Sequence, residues 1–114
     1  DAADIPSSTL NFISKYMSKF ARRIVNLETE QLPKDHYAAI VAIDCLEHTT
    51  EPVAITKSLL LSLHKDGILI VKFPKESSFN YTHIRQAQEQ RDATFNLINN
   101  SCTIIVPEFI YRKN

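Results

Sequence analysis

The chain has 114 residues and a single glycine, Gly67. Nucleotide-binding folds spend several glycines where backbone must come close to phosphate or ribose. With one glycine, a glycine-rich phosphate loop cannot be built from these residues. The rest of the composition is ordinary for a folded domain, with 44% hydrophobic and 23% charged residues. A chain of this length can bury about 65% of its unfolded surface, so a single domain over residues 1–114 with its own core is expected. Thirteen Lys+Arg balance thirteen Asp+Glu. That balance argues against a dominant electrostatic partner such as duplex nucleic acid or an anionic membrane. Cys45 and Cys102 adjoin or enter apolar runs and read as small buried hydrophobes. The first residues, DAADIPSS, lack the features of a signal peptide, and no apolar run nears the length of a membrane span, so a reduced cytoplasm is expected.

Asp4 to Ser8 reads as the exit from a strand into a helix, with Ser7 or Ser8 as the cap. Leu10, Ile13, Met17 and Phe20 recur at helical spacing and Phe12 and Tyr16 widen the stripe, predicting a helix over 8–21. Residues 23–27 form a short β-branched run. Residues 37–43 are consecutively apolar, the pattern of a strand covered on both faces. Thr49 or Thr50 is expected to cap the next helix, with Pro52 in its first turn. Ile55, Leu59 and Leu63 form its apolar stripe. Lys65-Asp66-Gly67 is expected to end it, with Gly67 in the left-handed conformation. Residues 68–73 predict a strand, 84–99 a helix, 102–106 a strand and 109–112 a further strand. Pro107 points to a tight bend or bulge between the last two. Alternating helices and buried strands imply an α/β sheet with right-handed crossovers. The last two strands have too little chain between them for a crossover, so that pair is expected to be antiparallel.

In open α/β sheets, ligands bind outside the carboxyl ends of the strands. Asp4, Glu28 and Asp44 fall there, and a carboxylate at such a point can accept both hydroxyls of a ribose. Acids are also favoured at helix starts by the helix dipole. Residues 37–48, YAAIVAIDCLEH, resemble the fourth-strand motif of class I S-adenosylmethionine-dependent methyltransferases, aromatic-Asp-x-Val-Val-x-x-x-x-Leu-Glu-His. Residues 63–71, LHKDGILIV, resemble their Leu-Lys-Pro-Gly-Gly-x-Leu-x-Val segment. ETEQLP, at 28–33, resembles the Asp-Ala-x-x-Leu-Pro loop after the third strand. Asp4 with Ile5-Pro6-Ser7 and Leu10 resembles the acidic end of the second strand. The resemblance covers nearly the whole chain. It implies a partial Rossmann-like sheet, mostly parallel with a terminal antiparallel strand and helices on both faces. It also implies methyl transfer from S-adenosylmethionine to an unidentified acceptor.

On that resemblance, Asp4 would hold the cofactor ribose hydroxyls, with Ile5 also among the cofactor-binding residues, Glu28 and Thr29 would sit beside the adenine, and Ile43 and Asp44 would line the methionine end. Leu46-Glu47-His48 would begin the loop facing the acceptor. No catalytic residue is assigned, although His48 is the nearest to a general base. The family's Gly-x-Gly loop has no counterpart here, and Lys65-Asp66-Gly67-Ile68 lacks the proline and second glycine of the usual turn. The expectation is therefore part of a longer enzyme, inactive by itself, with exposed sheet edges that invite a homodimer. The alternative is a non-catalytic module of the same fold. Asp44, Glu47 and His48 also spell D-x-x-E-H, similar to the E-x-x-E-H of some O-methyltransferases, an oxygen and imidazole set that suits a divalent ion. His83 could add a ligand. The favoured reading assigns no metal and has Glu47-His48 capping the loop.

Overall fold

The computed structural model describes residues 1–4, 11–21, 23–27, 29–75 and 84–114. It is an α/β protein with mixed sheets. The chain divides into two compact units, Asp1–Leu32 and Pro33–Asn114.

In the first unit, β1 (Ala2–Asp4) pairs in parallel with β2 (Ile24–Asn26), and Ala2, Ala3 and Asp4 stand opposite Ile24, Val25 and Asn26. Val25 is fully buried. Between the strands the expected helix at 8–21 is less regular than its spacing implies. A π-helical turn covers Ile13–Met17 and a tighter 3-10 turn covers Ser18–Phe20. The caps expected at Ser7 and Ser8, and Leu10, lie outside the described residues. Phe12, Tyr16 and Phe20 were expected to extend a buried stripe, but all three are exposed, Phe20 by 75%. Lys15 Nζ lies 5.1 Å from the Tyr16 ring centroid and Lys19 Nζ 5.0 Å from that of Phe20, so each ammonium meets an exposed aromatic face.

The second unit holds a four-stranded sheet in the order β3 (Tyr37–Ile43), β4 (Leu63–Lys72), β6 (Ile110–Lys113), β5 (Cys102–Val106). β3 and β4 are parallel, and β6 is antiparallel to both β4 and β5. Three strands thus run one way, and the last strand of the chain runs against them. The 102–106 and 110–113 strands form the expected antiparallel hairpin. Phe109 N–H donates to Val106 O at 3.1 Å, with Pro107 and a left-handed Glu108 (φ 54°) between them. Proline followed by a positive φ is the pattern of a type II turn. The pairing register also shifts between Ile104 and Val106, so bend and bulge are both present.

Helix α1 (Pro52–Ser62) carries β3 to β4, and α2 (Arg85–Glu89) and α3 (Arg91–Ser101) precede β5. Proline opens α1 as expected, but the cap is Glu51 rather than a threonine. Thr49 instead accepts the Glu51 N–H through its hydroxyl at 3.2 Å. The helix expected over 84–99 is interrupted at Gln90. Leu46, Leu59, Leu60, Leu63, Leu69, Val71, Phe73, Ala87, Phe95, Ile98 and Tyr111 form the buried core. β3 is not covered on both faces. Val41 is 64% exposed and Ile43 is exposed, while Ala42 is buried. β3 has one neighbour, β4, and stands at the edge of its sheet. A continuous apolar run reports the presence of apolar side chains and cannot count the faces that helices cover.

Gly67 has a different role from the one expected. α1 ends at Ser62, and β4 already begins at Leu63. Tyr37 pairs with Leu63 and Ala39 with Ile68, so two steps on β3 match five on β4 and residues 64–67 loop out. The left-handed residue in that loop is Asp66, with φ 64°, and not the glycine. A Cβ on Gly67 would lie 2.8 Å from His64 O and 3.2 Å from Ala38 O. Glycine is required here because two backbone carbonyls close on its Cα. Left-handed backbone instead falls on Asp35, Asp44, Asp66 and Glu108 among the described residues. Aspartate reaches this region more readily than most residues because its short side chain can bond locally.

Arg91 starts α3 and is buried, at 8% exposure. Its Nε donates to Phe73 O at 2.8 Å, its Nη2 lies 2.9 Å from Glu108 Oε2, and its guanidinium sits 4.7 Å from the centroid of the Phe95 ring. One side chain therefore ties the end of β4, the hairpin turn and α3 together. Burial pushes up the Tyr111 phenol beside this cluster. It also pushes up the Cys102 thiol, with Lys113 pulling the latter back in part.

Candidate functional site

Ile43 ends β3, and Asp44 takes the chain sharply out of the sheet with φ 56°. Non-glycine residues held in this region cost energy and cluster at functional sites. A single 3-10 turn, Leu46–His48, follows, with His48 N–H donating to Cys45 O at 3.1 Å. Leu46 is buried and pins the turn to the core. Ile84 N–H donates to Glu47 O at 3.2 Å, and Gln90 Nε2 donates to Thr50 O at 2.8 Å. The chain on either side of α2 therefore clasps this strand-end turn.

The turn brings three side chains to one place. Asp44, Glu47 and His48 each direct one ligand atom into a cluster whose members all lie within 4.8 Å of one another. His48 Nε2 is 3.3 Å from Asp44 Oδ1. The Asp44 side chain is 77% exposed and that of His48 is 28% exposed. Glu47 differs from both: it is only 2% exposed, and its Oε2 is buried with no hydrogen-bond partner among the described residues. A buried acceptor left unmatched costs about 1–3 kcal/mol, and more when it carries charge. The arrangement can coordinate a cation, or accept hydrogen bonds from a ligand with several donors.

The other residues singled out from the sequence sit as follows. Ile43 is exposed next to Asp44 and pairs with Lys72. In the first unit, Asp4 closes β1 opposite Asn26, and Leu27 N–H donates to Asp4 O at 2.9 Å. Thr29 is exposed in the turn that follows β2, at the same end of the two-stranded sheet. Asp4 and Thr29 thus share the carboxyl end of one sheet, and Ile43 and Asp44 the carboxyl end of β3. Ile5, Glu28 and His83 lie outside the described residues. Glu30, which the sequence reading did not single out, braces the end of β2: its Oε2 accepts the Asn26 N–H at 2.8 Å. The sequence places Glu47 in the loop and in the D-x-x-E-H set, but spacing cannot reveal that this glutamate is buried. No protein-family model, curated protein or solved structure matches this chain.

Proposed function

We propose that the chain is part of a class I S-adenosylmethionine-dependent methyltransferase and contributes the ribose and methionine sides of the cofactor cleft. The arrangement of strands supports this reading best. A doubly wound sheet of order 3-2-1-4-5-6 is parallel, with its ligand at the carboxyl ends of the strands. In this reading the parallel β1–β2 pair would take positions 2 and 3 of that order, and the parallel β3–β4 pair positions 4 and 5. The reversed final strand, running against β4 and β5, suits the same family. Acids stand at the ends of β1 and β3, at Asp4 and Asp44.

In this reading Asp4 and Ile5 bind the ribose, Glu28 and Thr29 flank the adenine, and Ile43 and Asp44 line the methionine end. The glycine-bearing strand comes from elsewhere in a longer enzyme. Transfer consists of attack by an acceptor nucleophile on the sulfonium methyl carbon, with loss of the neutral thioether. The protein supplies proximity and in-line orientation. The acceptor would lie against Leu46-Glu47-His48, with His48 the nearest group able to take its proton.

Calorimetric titration of the full-length protein with S-adenosylhomocysteine tests the reading. Saturable binding is expected, weakened at least tenfold by Asp4→Ala. Unchanged affinity in that variant removes Asp4 from the site. Absence of binding to the full-length protein overturns the reading and favours a non-catalytic module.

A further inference from the structure

We propose that Asp44, Glu47 and His48 form a site for one divalent transition-metal ion. The inference rests on the local geometry alone and is independent of the cofactor reading.

Two carboxylates and an imidazole converge on one point at the end of β3. Donors bound to one ion at about 2.0–2.5 Å lie about 3 Å apart when adjacent and about 5 Å apart at most when opposite. The 3.3 Å between His48 Nε2 and Asp44 Oδ1 matches adjacent ligands, and the 4.8 Å limit on the whole cluster keeps all three within reach of one ion. Such clusters are common on surfaces without metal, and Asp44 alone would mean little. Glu47 is the independent observation. Its residue is almost wholly buried, one of its carboxylate oxygens belongs to the cluster, and its Oε2 has no donor among the described residues. A bound cation would satisfy that oxygen and offset the two neighbouring negative charges.

The ligand set selects the class of ion. Carboxylates accept hard divalent ions, and the imidazole favours first-row transition metals over calcium or magnesium. Three protein ligands leave coordination positions open on the exposed side, where Asp44 faces solvent. The backbone holds the set in place, through the left-handed Asp44 and the Ile84 N–H clasp on Glu47 O.

The test titrates chelator-stripped protein with manganese(II) chloride and follows the loss of the free-ion signal by electron paramagnetic resonance. One ion per chain is expected, with affinity lowered at least tenfold by Asp44→Asn and by His48→Asn, and lowered most by Glu47→Gln. Should Glu47→Gln fail to fold, the two more exposed variants decide the matter. No binding to the parent, or parental affinity in both Asp44→Asn and His48→Asn, overturns the proposal. No adenosyl ligand is present in this titration, so its outcome and that of the S-adenosylhomocysteine titration are independent.

Discussion

Arg91 and Glu47 are both charged and both buried, at 8% and 2% exposure, and each lies near an acid in the left-handed conformation. Around Arg91, that acid is the counter-ion: Glu108 takes one side of the guanidinium while Phe73 O and the Phe95 ring take the others. Around Glu47, that acid is Asp44, a second carboxylate, and Oε2 of Glu47 has no donor among the described residues. The first arrangement is complete within the protein and reads as structural. The second is left incomplete by the described residues. Buried charge alone does not mark a functional site; buried charge that the fold leaves unanswered does.

The largest effect is expected at the completed cluster. Arg91→Met should cost about 3 kcal/mol in urea unfolding, because it strands the Phe73 carbonyl and unties α3 from the hairpin. Alkali probes the same region without a substitution. Tyr111 and Cys102 both have raised folded-state values, chiefly through burial. The unfolded chain therefore loses these protons first. Stability should be fully present below about pH 9 and fall as pH rises beyond it, and Cys102→Val should remove the earlier part of that fall. Glu108→Gln should cost about 1 kcal/mol, since the Glu108 side chain is 62% exposed and Arg91 keeps its bond to Phe73 O. The smallest change in stability is expected from Asp44→Gly, within about 0.5 kcal/mol of the parent, because relief of the left-handed strain is offset by the added freedom of the unfolded chain. The same variant should lose manganese affinity, which separates stability from binding at the strand-end turn.

Much of the fold was legible in the sequence. Apolar or β-branched runs located β2 to β6, the strand exit read at Asp4 implied β1, Pro52 located the start of α1, and the short spacer around Pro107 implied the antiparallel hairpin. What escaped depends on contacts between distant residues. Gly67 looked like a helix stop because it follows Lys65-Asp66, yet the carbonyls of His64 and Ala38 are what exclude a side chain there. The apolar run of β3 suggested two covered faces, whereas the face that carries Val41 and Ile43 is left exposed. At the candidate site, the D-x-x-E-H spacing was visible and correctly brought three side chains together. The burial of Glu47 was not visible, because it comes from packing of the 46–48 turn against the segment entering α2. Arg91 was hidden in the same way, within the polar start of the helix expected over 84–99.

The most direct measurement is the urea unfolding midpoint of Glu47→Met in chelator, set beside Arg91→Met under the same conditions. Replacing this buried carboxylate with an apolar side chain of similar length removes the cost of an Oε2 that no described residue answers. The account predicts that Glu47→Met is as stable as the parent or more so, while Arg91→Met loses about 3 kcal/mol. A loss of similar size at Glu47 would contradict it, and would mean that this carboxylate is as fully matched within the fold as Arg91.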